Sequence, residues 1–188
     1  MSSALTIFDL EIVTPKDLGI EGEPDESFPT LQENAISKAR FYCQKSGGIP
    51  TLAEDTGLFI DALQGELGVM TRRWGAGPTA TDDEWLDYFV QRMRLEENRD
   101  AKFMCVMAYI DEDGNASIFE GVCAGSITRE ASCTRLPNLP LSSVFLPEGF
   151  DRVFADLTHD EKNAISHRGR ALQNFIESTR QSALIPPL

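Results

Sequence analysis

The segment that most constrains this chain is residues 51–73, where a short apolar run leads directly into acidic residues. Thr51-Leu52-Ala53 predicts a strand, and Glu54-Asp55-Thr56-Gly57 follows as its end. Adjacent carboxylates at a strand end are oxygen ligands of the kind that Mg²⁺ takes from proteins, with waters and substrate phosphates as its other ligands. The pair Arg72-Arg73 supplies guanidinium groups, which suit phosphate. The segment therefore predicts a metal and phosphate site or, alternatively, a capped helix start and a solvated basic pair.

Length and charge limit the classes of protein that remain. At 188 residues the chain fits one domain that can bury a sizeable core. The net charge of −13 argues against nonspecific binding to nucleic acid or to a membrane surface, because both surfaces are anionic. An anionic small molecule held by a local basic pocket and a divalent ion remains compatible with that charge.

Cysteine usage and hydropathy indicate the compartment. Four separated cysteines form no C-x-x-C pair, and the sequence has no signal peptide and no long apolar run. The chain is therefore predicted to lie in a reducing cytoplasm and to have no transmembrane span.

Apolar periodicity predicts a helix over residues 30–46, with Thr30 as its N-cap and Gly47-Gly48 as its end. Asn34 and Lys38 lie one turn apart at one margin of its apolar stripe. Both side chains can therefore face a cleft beside the core. The alternative for Lys38 is that its side chain only reaches towards solvent.

Further along the chain, Thr81 is predicted to cap a helix through Met93, with Trp85 and Phe89 in the core rather than stacked on a base. Residues 101–110 predict a buried strand. A hairpin turn and a returning strand over residues 117–130 follow, with a short strand at 143–146. Thr158 and Glu161 form a T-x-x-E start signal for a helix through Ser178.

A second charged cluster lies on that C-terminal helix. Lys162, Ser166 and Arg170 share one helical face at i, i+4 and i+8. His167 and Arg168 lie alongside them. Such a cluster can grip a polyphosphate or a nucleobase edge. A solvated basic face is the alternative.

Four segments in this order resemble one known family: QENAISKAR at 32–40, AEDTGLFIDAL at 53–63, GVMTRR at 68–73 and EKNAISHRGRA at 161–171. The family is the non-canonical purine nucleoside triphosphate pyrophosphatases, or inosine triphosphate pyrophosphatases. The resemblance implies an α/β fold with an elongated mixed β-sheet flanked by helices and two lobes around a central cleft. It also implies a homodimer that uses Mg²⁺ to hydrolyse ITP, dITP and XTP to the monophosphate and pyrophosphate.

The resemblance assigns roles to acidic residues and to one hydroxyl. Asp55 matches the catalytic acidic residue, which acts as general base on water and as a metal ligand. Glu26 falls where the family has its other metal carboxylate. Thr56 matches a hydroxyl that contacts the substrate.

The resemblance also implies a set of cations around the nucleotide. Lys38 and Arg73 would face phosphate. Lys162, His167 and Arg168 would contact the substrate, the last two near the base. Metal and cations then offset the charge that develops on the phosphates while a carboxylate orients water.

Two departures from the family pattern keep alternatives open. The chain starts where the family's first helix should be ending, so we expect one domain over residues 1–188 without the family's first strand and T-x-N-x-x-K phosphate loop. Residues 138–145 read NLPLSSVF where the family commonly has G-F-G-Y-D-P-x-F. The alternatives are a catalytically weak nucleotide-binding or structural homodimer, and a pyrophosphatase for another nucleotide.

Overall fold

A computed structural model describes residues 11–71, 74–77 and 79–181 of the chain. These ranges contain four α-helices and four strands in one sheet, so the predicted α/β class is confirmed. The helices are α1 Leu31–Lys45, α2 Asp82–Arg92, α3 His159–Ile165 and α4 His167–Gln181. The strands are β1 Thr51–Ile60, β2 Asp100–Ile110, β3 Ala116–Ile127 and β4 Phe145–Pro147. No helix in these ranges combines the length and apolar character that crossing a membrane requires.

The strands are ordered β1-β2-β3-β4 across the sheet. A tight turn joins β2 to β3, in which the Asp111 amide donates to the Asn115 carbonyl at 3.1 Å. β3 and β4 pair antiparallel, with Gly125 opposite Pro147 and Ile127 opposite Phe145. The predicted hairpin and the short fourth strand are therefore present, each within a few residues of its predicted bounds.

Contacts divide the chain into two compact units. The first unit takes the described residues of Met1–Asp55, Cys105–Gly121 and Arg168–Leu188. Its core joins β2 to α4, where Cys105 and Met107 pack with three apolar residues of the helix, Ala171, Leu172 and Phe175.

The second unit takes Thr56–Met104 and Val122–His167. Its core contains Trp85 and Phe89 of α2, which are 4% and 0% exposed, together with Phe145 of β4. The Trp85 indole nitrogen also donates to the carbonyl of Trp74 at 3.0 Å. The prediction that these two aromatic residues belong to the core is confirmed.

Threonine caps fix the helix starts that the sequence predicted. The Thr81 and Thr158 hydroxyls each accept from the amide three residues on, and the glutamate there accepts from the capping amide in return. The Thr30 hydroxyl accepts from the Glu33 amide at 3.1 Å. The helices predicted at 30–46 and 81–93 are each found within about one residue at either end.

The predicted single helix from Thr158 to Ser178 is wrong. Ser166 has extended backbone angles, φ −63° and ψ 142°, so α3 ends at Ile165 and α4 begins at His167. Lys162 and Arg170 therefore lie on different helices. The shared face at i, i+4 and i+8 does not exist, because that spacing requires one uninterrupted helix.

The prediction that the first strand ends at the acidic pair is also wrong. β1 continues to Ile60, and its later residues Leu58 and Ile60 are buried. Alternating burial extends the strand past Gly57, so the carboxylates lie within the strand. Gly57 is needed for a close backbone approach, since a Cβ there would lie 2.5 Å from the Gly68 carbonyl oxygen.

Gly57→Ala is expected to lower the free energy of unfolding by about 1–3 kcal/mol, because the added methyl group overpacks against the Gly68 backbone. Urea denaturation at neutral pH measures the change. Ser117→Ala, at an exposed position of β3, is the control and should stay within about 0.5 kcal/mol of wild type. Equal midpoints for Gly57→Ala and wild type would contradict the proposed backbone contact.

Candidate active site

The Asp55 carboxylate lies at the centre of a polar cluster in the first unit. Its side chain is only 13% exposed. Lys38 donates to its Oδ1 at 3.0 Å, and Asn34 donates to its Oδ2 at 3.2 Å. Both donors come from one face of α1, since residues four apart in a helix lie one above the other. The two side chains therefore meet at the same carboxylate.

The Lys38 ammonium joins two carboxylates. Besides the Asp55 oxygen, it contacts Glu26 Oε2 at 3.2 Å and donates to the main-chain carbonyl of Glu54 at 3.1 Å. An ammonium group has three N–H donors, and here three oxygens receive them. The structure therefore brings together Glu26, Lys38 and Asp55, three of the residues that the family resemblance implicates.

Burial and ion pairing together set the pKa values in this cluster. Burial raises the pKa of Asp55, and Lys38 and Asn34 offset only part of the effect. Burial alone would lower the pKa of Lys38, but the attraction of Asp55 and Glu26 outweighs it, so the pKa of Lys38 is raised. Lys38 therefore keeps its proton, while Asp55 is more basic than an ordinary aspartate.

The side chain of the neighbouring residue Glu54 lies on the other face of β1, because successive side chains of a strand point to opposite faces. Its Oε1 accepts from the Arg168 Nε at 3.0 Å, and its Oε2 accepts from the Cys105 thiol at 3.3 Å. Glu54 thus anchors one of the predicted substrate-contacting residues beside the Asp55 cluster. This role of Glu54 was not predicted from the sequence, where its one signal is the adjacency of the two carboxylates.

The carboxylate oxygens of this cluster suit a magnesium ion whose other ligands come from the substrate and from water. Glu26 and Asp55 offer carboxylate oxygens that lie within 3.2 Å of the same nitrogen. Among the described residues, no group of three or more histidine, cysteine, aspartate or glutamate side chains could enclose a metal. Mg²⁺ does not need such a cage, because one or two carboxylates with waters and phosphates satisfy it.

The other predicted substrate-contacting residues have partners in the second unit or lie outside the described ranges. The Lys162 ammonium donates to the Ala155 carbonyl at 3.1 Å. His167 is 5% exposed, and its ring stacks on Phe103 with centroids 5.1 Å apart and planes 17° apart. Thr56 follows Asp55 in β1 and is half-buried. Arg73 lies outside the described residues.

The divergent segment at residues 138–145 packs into the second unit. Residues 140–145 are buried, and Pro140–Ser143 form a short 3₁₀ turn. Asn138 has φ 62°, and its amide donates to an Asp82 carboxylate oxygen at 2.7 Å. Leu139, which directly precedes this turn, is 44% exposed. The segment therefore contributes mainly to packing, which explains its apolar composition.

The cluster thus combines two carboxylates of the kind that Mg²⁺ takes from proteins with an ammonium that can face a phosphate. The chain belongs to the Ham1 family, whose sequence profile matches residues 1–178. The family resemblance predicted from the four segments is confirmed.

Known proteins support this assignment over nearly the whole chain. A dITP/XTP pyrophosphatase of Leptospira interrogans is 34% identical over 179 residues, which cover 94% of this chain and 88% of that protein. A dITP/XTP pyrophosphatase of Escherichia coli K12 is 35% identical over 184 residues, covering 96% and 91%. The structure of a HAM1 protein from Coxiella burnetii superposes with a TM-score of 0.86 at 32% identity, covering 96% and 91%.

Lys38→Met is expected to destabilise the metal-free protein at pH 7 by about 1–3 kcal/mol, because two carboxylates then lack their shared cation. Without Lys38 the folded pKa of Asp55 rises further above the unfolded value, so the folded state binds its proton more readily than the unfolded state. The loss of stability relative to wild type should therefore become smaller as the pH falls to about 5. Thermal unfolding at the two pH values measures this.

Arg40→Met, at an exposed position of the same helix, is the control and should show no such pH-dependent deficit. A Lys38→Met deficit that stayed constant or grew as the pH fell would contradict the proposed charge balance.

Proposed function

We propose that this chain is a Mg²⁺-dependent nucleoside triphosphate pyrophosphatase that hydrolyses ITP, dITP and XTP to the monophosphate and pyrophosphate. Membership of the Ham1 family and the named activity of its relatives support this proposal. The observation that carries it is the Asp55 carboxylate, held between Lys38 and Asn34 with Glu26 on the same ammonium. This reaction would remove non-canonical purine nucleoside triphosphates from the free nucleotide pool.

Asp55 would act as the general base. Its carboxylate would accept a proton from water while the water oxygen forms a bond to the α-phosphorus and the bond from that phosphorus to the oxygen bridging the α- and β-phosphates breaks. Pyrophosphate leaves with the electron pair of that bond. The raised pKa of Asp55 suits this role, because a more basic carboxylate accepts a proton more readily.

Glu26 and Asp55 would hold the Mg²⁺ ion, which offsets the charge of the phosphates when it is bound. Lys38 would keep the two carboxylates close together and would face the phosphates from the same side. Arg168, anchored through its Nε by Glu54, would present the rest of its guanidinium to the substrate.

The remaining family-implied contacts are also part of this proposal. Arg73 would face phosphate, Thr56 and Lys162 would contact the substrate, and His167 and Arg168 would lie near the base. We propose further that residues 1–188 act as one pyrophosphatase domain with an elongated mixed sheet and two lobes around a cleft. Homodimerisation and a cytoplasmic location complete the proposal, and size-exclusion chromatography tests the dimer.

Asp55→Asn is expected to lower the rate of pyrophosphate release from dITP by at least ~100-fold, because it removes the general base and a metal ligand together. A coupled pyrophosphate assay with Mg²⁺ measures the rate. Asp61→Asn is the matched control, since Asp61 is an exposed aspartate six positions further along the same segment, and it should retain the wild-type rate.

Chelation of Mg²⁺ should abolish the wild-type reaction. A wild-type protein that turns over no nucleoside triphosphate with Mg²⁺ present would contradict the proposed function. Calorimetry with ITP and Mg²⁺ then decides the alternative, because binding without turnover identifies a nucleotide-binding protein.

A further inference from the structure

Asn34 is a buried polar residue to which the family resemblance assigned no role. Its side chain lies on α1 and is 1% exposed. Its carbonyl oxygen accepts from the Phe28 amide at 3.1 Å, and its nitrogen donates to the Phe28 carbonyl at 3.3 Å. The same nitrogen donates to Asp55 Oδ2 at 3.2 Å. One side-chain amide therefore links a loop residue to the proposed general base.

The orientation of this amide is fixed by its partners. Phe28 offers one N–H and one C=O, so the Asn34 oxygen must face the first and the nitrogen must face the second. Only the second N–H of the nitrogen is then left, and it points to Asp55. One planar asparagine amide makes all three hydrogen bonds. Aspartate lacks both N–H donors, and alanine can make none of the three.

The loop that Asn34 holds also carries the second carboxylate. Glu26 lies two residues before Phe28, and its side chain contacts Lys38 at 3.2 Å while being 40% exposed. Because the Glu26 end of this ion pair is exposed, the pair restrains the loop less than a contact between two buried groups would. The paired hydrogen bonds from buried Asn34 to the Phe28 backbone are the stronger restraint, because one planar amide group holds both the N–H and the C=O of that residue.

We propose that Asn34 is a positioning residue that fixes the Asp55 carboxylate and the Glu26 loop relative to each other. This proposal rests on the proposed function, in which Asp55 and Glu26 act together. In this role Asn34 acts through its hydrogen bonds to Asp55 and to the Phe28 backbone rather than on the substrate or the metal. Small displacements of reacting groups have large effects on rate, so its loss should lower kcat rather than weaken substrate binding.

The test compares Asn34→Asp and Asn34→Ala in full-length protein, assayed for pyrophosphate release from dITP. We expect kcat to fall by about tenfold or more in both variants, with KM for dITP within about threefold of wild type. Circular dichroism at the assay temperature gives the folded fraction, for which each kcat is corrected. A purely structural role would leave the corrected kcat unchanged.

A second readout does not depend on activity. Hydrogen exchange of the Phe28 amide, measured by NMR on metal-free protein, should be about tenfold faster in Asn34→Ala, which removes its acceptor. Asn34→Asp keeps an oxygen at that position, so its Phe28 amide should stay closer to wild type.

Asn174→Asp is the matched control. Asn174 is an exposed residue of α4 whose side-chain nitrogen donates to the Glu120 carbonyl at 2.8 Å, so the substitution removes the same kind of bond away from Asp55. Its kcat and KM should equal those of wild type. If Asn34→Asp does not fold, Asn34→Ser takes its place with the same threshold.

The outcomes separate this proposal from the proposed function. An inactive wild type overturns the function, while the exchange of the Phe28 amide still tests the link through Asn34. An active wild type with Asn34 variants whose corrected kcat falls by less than about tenfold overturns the positioning role. Unchanged exchange at Phe28 in Asn34→Ala overturns the proposed restraint on the loop.

Discussion

The ion pair between Lys38 and Asp55 is the interaction on which the rest of the site depends. The two side chains are 17% and 13% exposed, and charges withdrawn from water in this way are costly unless they are paired and fully hydrogen-bonded. Asn34, the Glu54 carbonyl and the Glu26 carboxylate supply further hydrogen bonds to the pair. Loss of any one of these partners leaves a charge or a polar group unsatisfied. These positions therefore constrain one another. Withdrawing their charges from water costs free energy, and such arrangements are typical of functional sites.

A single strand gives two neighbouring carboxylates different surroundings. Strand alternation turns Asp55 towards α1 and Glu54 towards the start of α4, where Arg168 lies. Segments that are distant along the chain thus supply cations to adjacent residues. The arrangement requires the strand to continue through the acidic pair, because a turn at that point would end the strict alternation.

Local sequence signals predicted the positions of several helices and strands. They did not predict the contacts between residues that are distant along the chain. The Thr30 and Thr81 caps with their apolar stripes located α1 and α2 closely, since capping and periodicity act within a few residues. The break at Ser166 escaped prediction, because serine is not a strong helix breaker and the flanking residues continue a helical pattern. The spacing of Asn34 and Lys38 indicated a shared face but not their common partner, Asp55, which lies seventeen positions beyond Lys38. The family resemblance assigned Lys38 and Asp55 to one predicted site but did not predict their contact. That contact, like the anchoring of Arg168 by Glu54, became visible only in the three-dimensional structure.

Anomalous diffraction from crystals that contain Mn²⁺ and a dITP analogue resistant to hydrolysis tests the central claim most directly. The account predicts a manganese peak within about 2.3 Å of carboxylate oxygens of both Glu26 and Asp55, with phosphate oxygens among its other ligands. An ion bound to the analogue with neither carboxylate as a ligand would contradict it.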